Sequence, residues 1–551
     1  MRYTPLFISF ETVIAMRLLL LALCLVGSAV ADEVPAKIDE TALEAQGVII
    51  GTIELDKQNV FDTSIPKENN WLYRLANRFH IVTRDRVIDK QLLLEPGDTY
   101  SKRLVDESER ILRRNSYLYD ASITPVNRRD GVVDLRVSTR DVWTLIPTLS
   151  VSRKGGENKT TIGLQELNLL GRGQTIRFER TDDVDRTATT FEFLDAHLGR
   201  SWVTASLFVA DNSDGHSRLL SLIRPFYALD TRWSAGITAF DDDRRTAFYD
   251  LGNEAAEFQH DRERFSLFGG WSSGLRGGWV KRYTAGMVYD DNVFSAVENG
   301  SLPAFVPANR KLAYPFIGID LLEDQFETAS NRQQIAKTED FFTGTRLSAS
   351  LGLASQDTGA DRDAIIYTAG YSQGFGSLES AALLLDIAAS GRQESGDSRN
   401  AVVTFSARYF RKQSDKRLFF ATISGTHGHD LDADNIVALG GDTGLRGYPL
   451  RYQSGDSKFL ATIEQRYYWD WYPFRLVRVG GAIFADVGRT WGRSPIGTAS
   501  DGWLRDVGIG LRFAPTRTGS RKIAHLDFAF PLDGDASIDN LQIVLEGKRS
   551  F

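Results

Sequence analysis

The chain has 551 residues and a net charge of −7, with 48 Gly, 32 Phe, 18 Tyr and 10 Trp against one Cys and three Met. That length exceeds one ordinary core and points to a large barrel or to several domains. The mildly acidic balance gives no footprint for a nucleic-acid partner, and one cysteine excludes a disulfide framework.

Residues 1–31 read as a secretory signal peptide. Met16-Arg17 precedes an apolar run from Leu18 to Val26, and Ala29-Val30-Ala31 forms a small-x-small site ahead of Asp32-Glu33. The run is shorter than the about 20 residues that span a bilayer. Cys24 follows Leu23, where a lipoprotein needs a small residue, so the mature chain is expected to begin at Asp32 without cysteine. No later run of about 20 apolar residues appears, which leaves open a membrane β-barrel, because its strands are only half apolar.

Residues 32–47 read as a linker and 48–142 as a small α+β domain. A first strand begins at Val48-Ile49-Ile50, and Asn70 to His80 places Trp71, Leu72, Leu75 and Phe79 at helical spacing. After Pro96-Gly97-Asp98, Ser101 stands as cap of a helix to Arg114. Leu104, Val105, Ile111 and Leu112 share its inner face, with Arg103, Asp106, Glu107, Glu109, Arg110 and Arg113 outside. Strands Tyr119–Val126 and Val132–Ser138 follow, joined at Arg128–Gly131.

From 143 to 551 the pattern is of strands. Alternation marks Thr175–Arg180, Trp202–Val209, Leu219–Tyr227, Val402–Phe410 and Leu541–Leu545. Short turns such as Ala228–Arg232 contrast with longer polar loops at Gln356–Asp363 and Gln393–Asn400, and Trp469, Trp471 and Tyr472 flank a tight turn at Asp470–Pro473. At about ten residues per strand plus loops, about 14 to 18 strands fit. Period-two geometry sends Thr462, Glu464 and Arg466 to one face of their strand and Phe459, Ala461, Ile463 and Tyr467 to the other. On the next strand Phe484, Asp486 and Gly488 oppose Ile483, Ala485 and Val487. The charged sets belong in a lumen, because a charge on a lipid face costs several kcal/mol.

Three features then stand in order. A Gly-rich loop carries Gly444-Leu445-Arg446-Gly447-Tyr448, Phe484-Ala485-Asp486-Val487-Gly488 follows about forty residues on, and the chain ends on Phe551. Together they resemble the outer-membrane assembly and translocation barrels with periplasmic POTRA domains, the BamA/TamA-like and two-partner-secretion superfamily. Glu166–Gln174 is similar to that family's first barrel hairpin, and Leu94–Ser101 with Asn115–Leu118 to the middle of a POTRA domain. Leu445 departs from the family's usual Val or Ile.

The resemblance implies a mainly β fold, a transmembrane antiparallel barrel of about 16 strands behind one POTRA-like domain. It also implies a non-enzymatic role, without cofactor, in inserting barrel clients into the outer membrane or passing a polypeptide across it. Extended periplasmic polypeptides, membrane lipid and accessory envelope proteins are the implied partners. Arg446 is implied to enter the lumen and meet Asp486 and Phe484, with Glu464 nearby, and Leu541, Ile543, Leu545 and Phe551 to form a C-terminal assembly signal.

Rival readings remain at this point. A passive pore would use the small domain as plug or spacer. Gly270-Trp271-Ser272-Ser273-Gly274 matches a hydrolase nucleophile elbow, but its flanks read as strands instead of strand and helix. His427, His429, Asp430, Asp432 and Asp434 offer ligand types for a divalent cation, and read more simply as a solvated acidic loop.

Overall fold

The computed structural model describes residues 38–551 except 299, 301, 304, 495, 497–501 and 537. The expected signal peptide and the start of the linker lie outside the described residues.

The N-terminal part is a three-stranded sheet with helices on it. Helix α1 (Glu40–Ala45) precedes β1 (Ile49–Gln58), then come α2 (Trp71–Phe79), α3 (Asp85–Asp89), α4 (Lys102–Arg113), β2 (Leu118–Arg129) and β3 (Val132–Asp141). β3 lies in the middle, parallel to β1 and antiparallel to β2. Its Val133, Leu135 and Val137 meet Ile50, Val105, Leu112 and Ile123 in one core. α1 falls in the stretch read as linker, yet Leu43 enters that same core, and the Asp39 carboxylate caps the helix by accepting from Thr41 N at 3.0 Å. Ser101 makes no cap bond to α4 and donates instead to Glu44 at 3.1 Å. The outer edge of β2 is closed. Ile123 N–H donates to Glu109 at 2.7 Å, Ala121 C=O accepts from Arg113 at 3.0 Å, and Pro125 has no N–H to offer.

Twenty antiparallel strands, from Leu145–Lys154 to Gln542–Lys548, close into a barrel. This corrects the expectation of about 16. The reason lies in the connections: six hairpins turn within two residues, at 155–156, 213–214, 251–252, 277–278, 395–396 and 415–416. At Gly277-Gly278 both residues have positive φ, +57° and +79°, the mirror-image turn that matches strand twist. Chain spared from loops becomes wall. Gln393–Asn400, expected as a loop, is one such tight turn between Ala381–Glu394 and Asp397–Ser414.

The small domain seats on one end of the barrel. The outer face of α4, expected in solvent, makes the contact: Arg103 pairs with Asp230 at 2.5 Å, Glu107 accepts from Leu229 N at 2.8 Å, and Arg113 grips Asp340 at 2.9 and 2.7 Å. Asn168, in the connection between Glu157–Glu166 and Gln174–Asp182, donates to Thr83 at 2.8 Å, and Arg517 donates to the Val60 carbonyl at 2.8 Å. At this end the connection between barrel strands Arg310–Glu323 and Arg346–Ala354 forms its own hairpin, Phe326–Ser330 with Thr338–Phe342. It enters the lumen, where Ile335 and Phe341 pack with Phe410, Tyr468, Ala482 and Phe551.

Where β3 meets the barrel, His80 and Asp141 lie 3.8 Å apart. Burial pushes the Asp141 carboxyl up to about 6 and the His80 ring down to about 4. The raised Asp141 stabilises the fold at low pH and loses that contribution as pH rises through about 6. The depressed His80 stabilises above its ordinary 6.5 and loses that contribution as pH falls to about 4. The two oppose each other across the same window. Asp141→Asn should therefore expose the histidine alone, and the domain should weaken on the order of 2 kcal/mol between pH 6.5 and 4. Hydrogen exchange of β3 amides in the full chain, corrected for intrinsic rates, measures this; equal pH responses in both proteins would contradict it.

Candidate functional site

Strand alternation sets the floor of the site. In Ser457–Tyr468 the buried side chains include Glu464 and Arg466, and in Val477–Trp491 they include Phe484 and Asp486, while Ile463 and Ile483 face outward. Residues 430–456 connect Arg417–His429 to Ser457–Tyr468 at the end of the barrel away from the small domain. They carry a short pairing of Val437–Leu439 with Gln453–Gly455.

Between those short strands the chain turns down into the lumen. Thr443 and Leu445 N–H both donate to the Gly440 carbonyl at 3.1 Å, and Gly441 N–H donates to the Pro449 carbonyl at 2.8 Å. Gly444 sits at φ +121° with its α-carbon against Leu460, where a β-carbon would approach to 2.4 Å. At Gly447 a β-carbon would stand 2.7 Å from that of Asp506, so the backbone itself reaches the wall. Leu445 and Tyr448 are fully buried with Leu439, Tyr452 and Leu504, and the Tyr448 hydroxyl donates to the Arg505 carbonyl at 2.8 Å. Gly488 leaves room for Leu439, since a β-carbon there would lie 2.9 Å from it.

This geometry delivers Arg446 to a layer of buried charge. Its Nε and Nη2 donate to the two Asp486 oxygens at 2.7 and 2.9 Å, and Nη1 donates to Glu464 at 3.0 Å. The guanidinium lies 3.4 Å above the Phe484 ring. A planar fork on a carboxylate is the arrangement that arginine, and not lysine, can make. Thr462 donates to Asp486 at 2.7 Å, Gly447 N–H to Asp506 at 3.0 Å, and Arg466 to Glu464 at 2.8 Å. Arg512 pairs with Asp527 at 2.5 Å, and Asp527 stands 3.6 Å from Arg446. Three carboxyl side chains, Glu464, Asp486 and Asp527, thus share three guanidinium groups, and Asp506 beside them takes a backbone N–H.

The structure brings Gly444, Leu445, Arg446, Gly447, Tyr448, Glu464, Phe484, Asp486 and Gly488 into one cluster. Asp506, Arg512 and Asp527 join them and were not singled out from sequence. The signal was present: in Leu504–Pro515 and Ile523–Pro531 the buried residues alternate as Asp506, Gly508, Gly510, Arg512 and as His525, Asp527, Ala529. Leu541, Ile543 and Leu545 alternate with the buried Gln542, Val544 and Glu546. Phe551 leaves that alternation and turns into the lumen, its N–H donating to the Gln333 carbonyl at 2.6 Å and its ring 5.1 Å from Tyr468.

The other candidates disperse. Ser272 is buried in the strand Asn253–Arg276 and accepts from Gly274 N–H at 3.0 Å, a bulge and not a nucleophile turn. His427 bonds Ser457 at 3.0 Å, and arginines take the carboxylates: Arg310 holds Asp432 and Asp434, Arg392 holds Asp432, Arg399 holds Asp430. Among the described residues no three His, Cys, Asp or Glu side chains are placed to hold a metal.

No family model and no curated protein matches the chain. Among solved structures, BamA from Haemophilus ducreyi lacking POTRA domains 1–3 aligns with 90% of this chain and 84% of its own, at 13% identity and a TM-score of 0.36. CdiB from Acinetobacter baumannii aligns with 91% of this chain and 73% of its own, at 14% identity and 0.44. CdiB from Escherichia coli aligns with 90% and 75%, at 13% and 0.44.

Removing one partner of a buried ion pair strands the other, at a cost of about 3–5 kcal/mol where water cannot reach it. Arg446→Ala and Asp486→Ala should each release the 440–452 loop to protease while the barrel still forms. The double variant should be no worse than either, and Arg446→Lys should recover only part. A double-mutant cycle on loop cleavage with additive effects would refute the pairing.

Proposed function

We propose that this chain is an outer-membrane protein of the BamA/TamA-like superfamily, with a POTRA-like domain in the periplasm, and that it inserts β-barrel clients into that membrane. The ordered motif and the clamped arginine support the family reading. The seam between the first and last strands carries the functional one. Gln542–Lys548 meets Leu145–Lys154 at a single register pair, Leu545 opposite Arg153, whereas it shares seven pairs with Ile523–Pro531 on its other side. An ion pair, Lys154 with Glu546 at 2.5 Å, bridges the gap.

A strand edge without partners is costly at hydrocarbon depth, because no water satisfies its N–H and C=O groups. An incoming client strand supplies those partners through backbone bonds alone, without regard to its side chains. The unsatisfied backbone at the seam is the driving force, and no nucleotide is needed. The small domain offers clients no second edge at β2, which Glu109, Arg113 and Pro125 close. A passive pore fits less well: the 440–452 loop crosses toward Gly155 and Tyr249 at one end, and the 326–342 hairpin fills part of the other.

Cysteines at Arg153 and Leu545 face each other across the seam, and no native cysteine follows Cys24. The double variant, oxidised, should lose client insertion into vesicles and regain it with reductant, while each single variant stays active. Full activity in a completely cross-linked protein would overturn the insertion reading.

A further inference from the structure

Helix α2 presents its apolar face away from the protein. Trp71, Leu75 and Phe79 repeat every four residues with Leu72 beside them, and they are 70%, 39%, 69% and 53% exposed respectively. A helix of a water-soluble domain would turn this face inward. Here the opposite face is fixed to the domain. The Tyr73 ring stacks on Phe61 at 4.0 Å, and Asn77 exchanges hydrogen bonds with the Phe61 backbone at 3.0 and 2.8 Å. Rotation that would bury the apolar residues breaks all of these contacts.

The position of α2 supplies the reason. The Tyr73 hydroxyl donates to the carbonyl of Phe474, in the barrel turn at residues 469–476. That turn holds Trp471 and Phe474, 61% and 81% exposed, and Trp469, whose ring covers the outward face at Gly481. Tyr73 thus anchors the helix to the turn that carries these exposed aromatic residues, the kind of residue that sits between hydrocarbon and headgroups on a barrel's outer wall. Arg74 and Arg78 are exposed one turn apart along the helix, Arg74 donating to Asn69 Oδ1 at 2.7 Å, and such cations suit lipid phosphates.

From this juxtaposition we infer that α2 is an interfacial membrane helix: Trp71, Leu72, Leu75 and Phe79 insert into the periplasmic surface of the phospholipid bilayer beside the barrel. The inference rests on the barrel spanning a membrane. It gives the small domain a support besides its contacts with the barrel, and it fixes the domain's tilt relative to the bilayer.

The test uses full-length protein in phosphatidylethanolamine–phosphatidylglycerol vesicles, labelled with bimane at Leu75→Cys, with Phe79→Cys as a second variant should the first not fold. Ile483→Cys, on the outer wall, is the membrane control. The α2 labels should emit at shorter wavelength than in detergent-free water, lose most intensity to lipids brominated near the headgroup, and resist aqueous iodide. Arg74→Gln with Arg78→Gln should lessen that shielding. Iodide access without bromolipid quenching overturns the inference, and so does shielding from both quenchers, which would mean that protein covers the face. If the Ile483 label is not quenched by bromolipid, the membrane-spanning reading fails with it; if only the α2 labels escape, the inference alone falls.

Discussion

Closure of the wall is the constraint on which the rest depends. Each barrel strand offers a full row of backbone donors and acceptors on both sides, and closure gives each row a neighbouring strand as partner. Two-residue hairpins let the chain spend its length on twenty strands that satisfy one another. One junction departs from that rule, where Leu545 and Arg153 make the only register pair. Its last strand, Gln542–Lys548, is short, and three residues on Phe551 turns inward to the Gln333 carbonyl. The terminal residue thus serves the lumen packing and not the seam.

A chain of buried charges ties the two ends of the lumen together. Arg446 comes from one end and meets Glu464, which also binds Arg466; Arg466 in turn donates to the Arg332 carbonyl at 2.9 Å in the hairpin from the other end. The hairpin's Asp340 is held by Arg113 of α4. Buried charges of this kind are stable only as a completed set, since each loss leaves another group unpaired. Loop, hairpin and small domain are therefore mechanically linked, although no two of them are neighbours in sequence.

Much of the candidate site was legible because strands have a period of two. The inward position of Asp486, Phe484 and Glu464 follows from apolar Ile483, Ala485 and Ile463 on the alternate register. Asp506 and Asp527 obey the same rule, but they lie on Gly-rich or mixed strands and no motif drew attention to them. Strand number was not legible, since a two-residue turn such as Ser395-Gly396 looks like the middle of a polar loop. The hairpin at 326–342 was not legible either: Phe326, Phe341 and Phe342 flank a polar stretch whose burial depends on partners as distant as Phe551.

The two long helices of the small domain fail in opposite directions, for one reason. A helix read from sequence is assigned a face toward its own core and a face toward water. The charged face of α4, with Glu107 and Arg110, is instead buried where α4 seats on the barrel, because loop carbonyls, amides and carboxylates on the rim satisfy it. The apolar face of α2 points outward, on a helix that Tyr73 ties to the turn holding exposed Trp471 and Phe474. In both cases the helix pattern records what lies outside the domain: a polar protein rim under α4, and an apolar surface beside α2. Amphipathicity reports the environment a face meets, and only in a free soluble domain is that environment water.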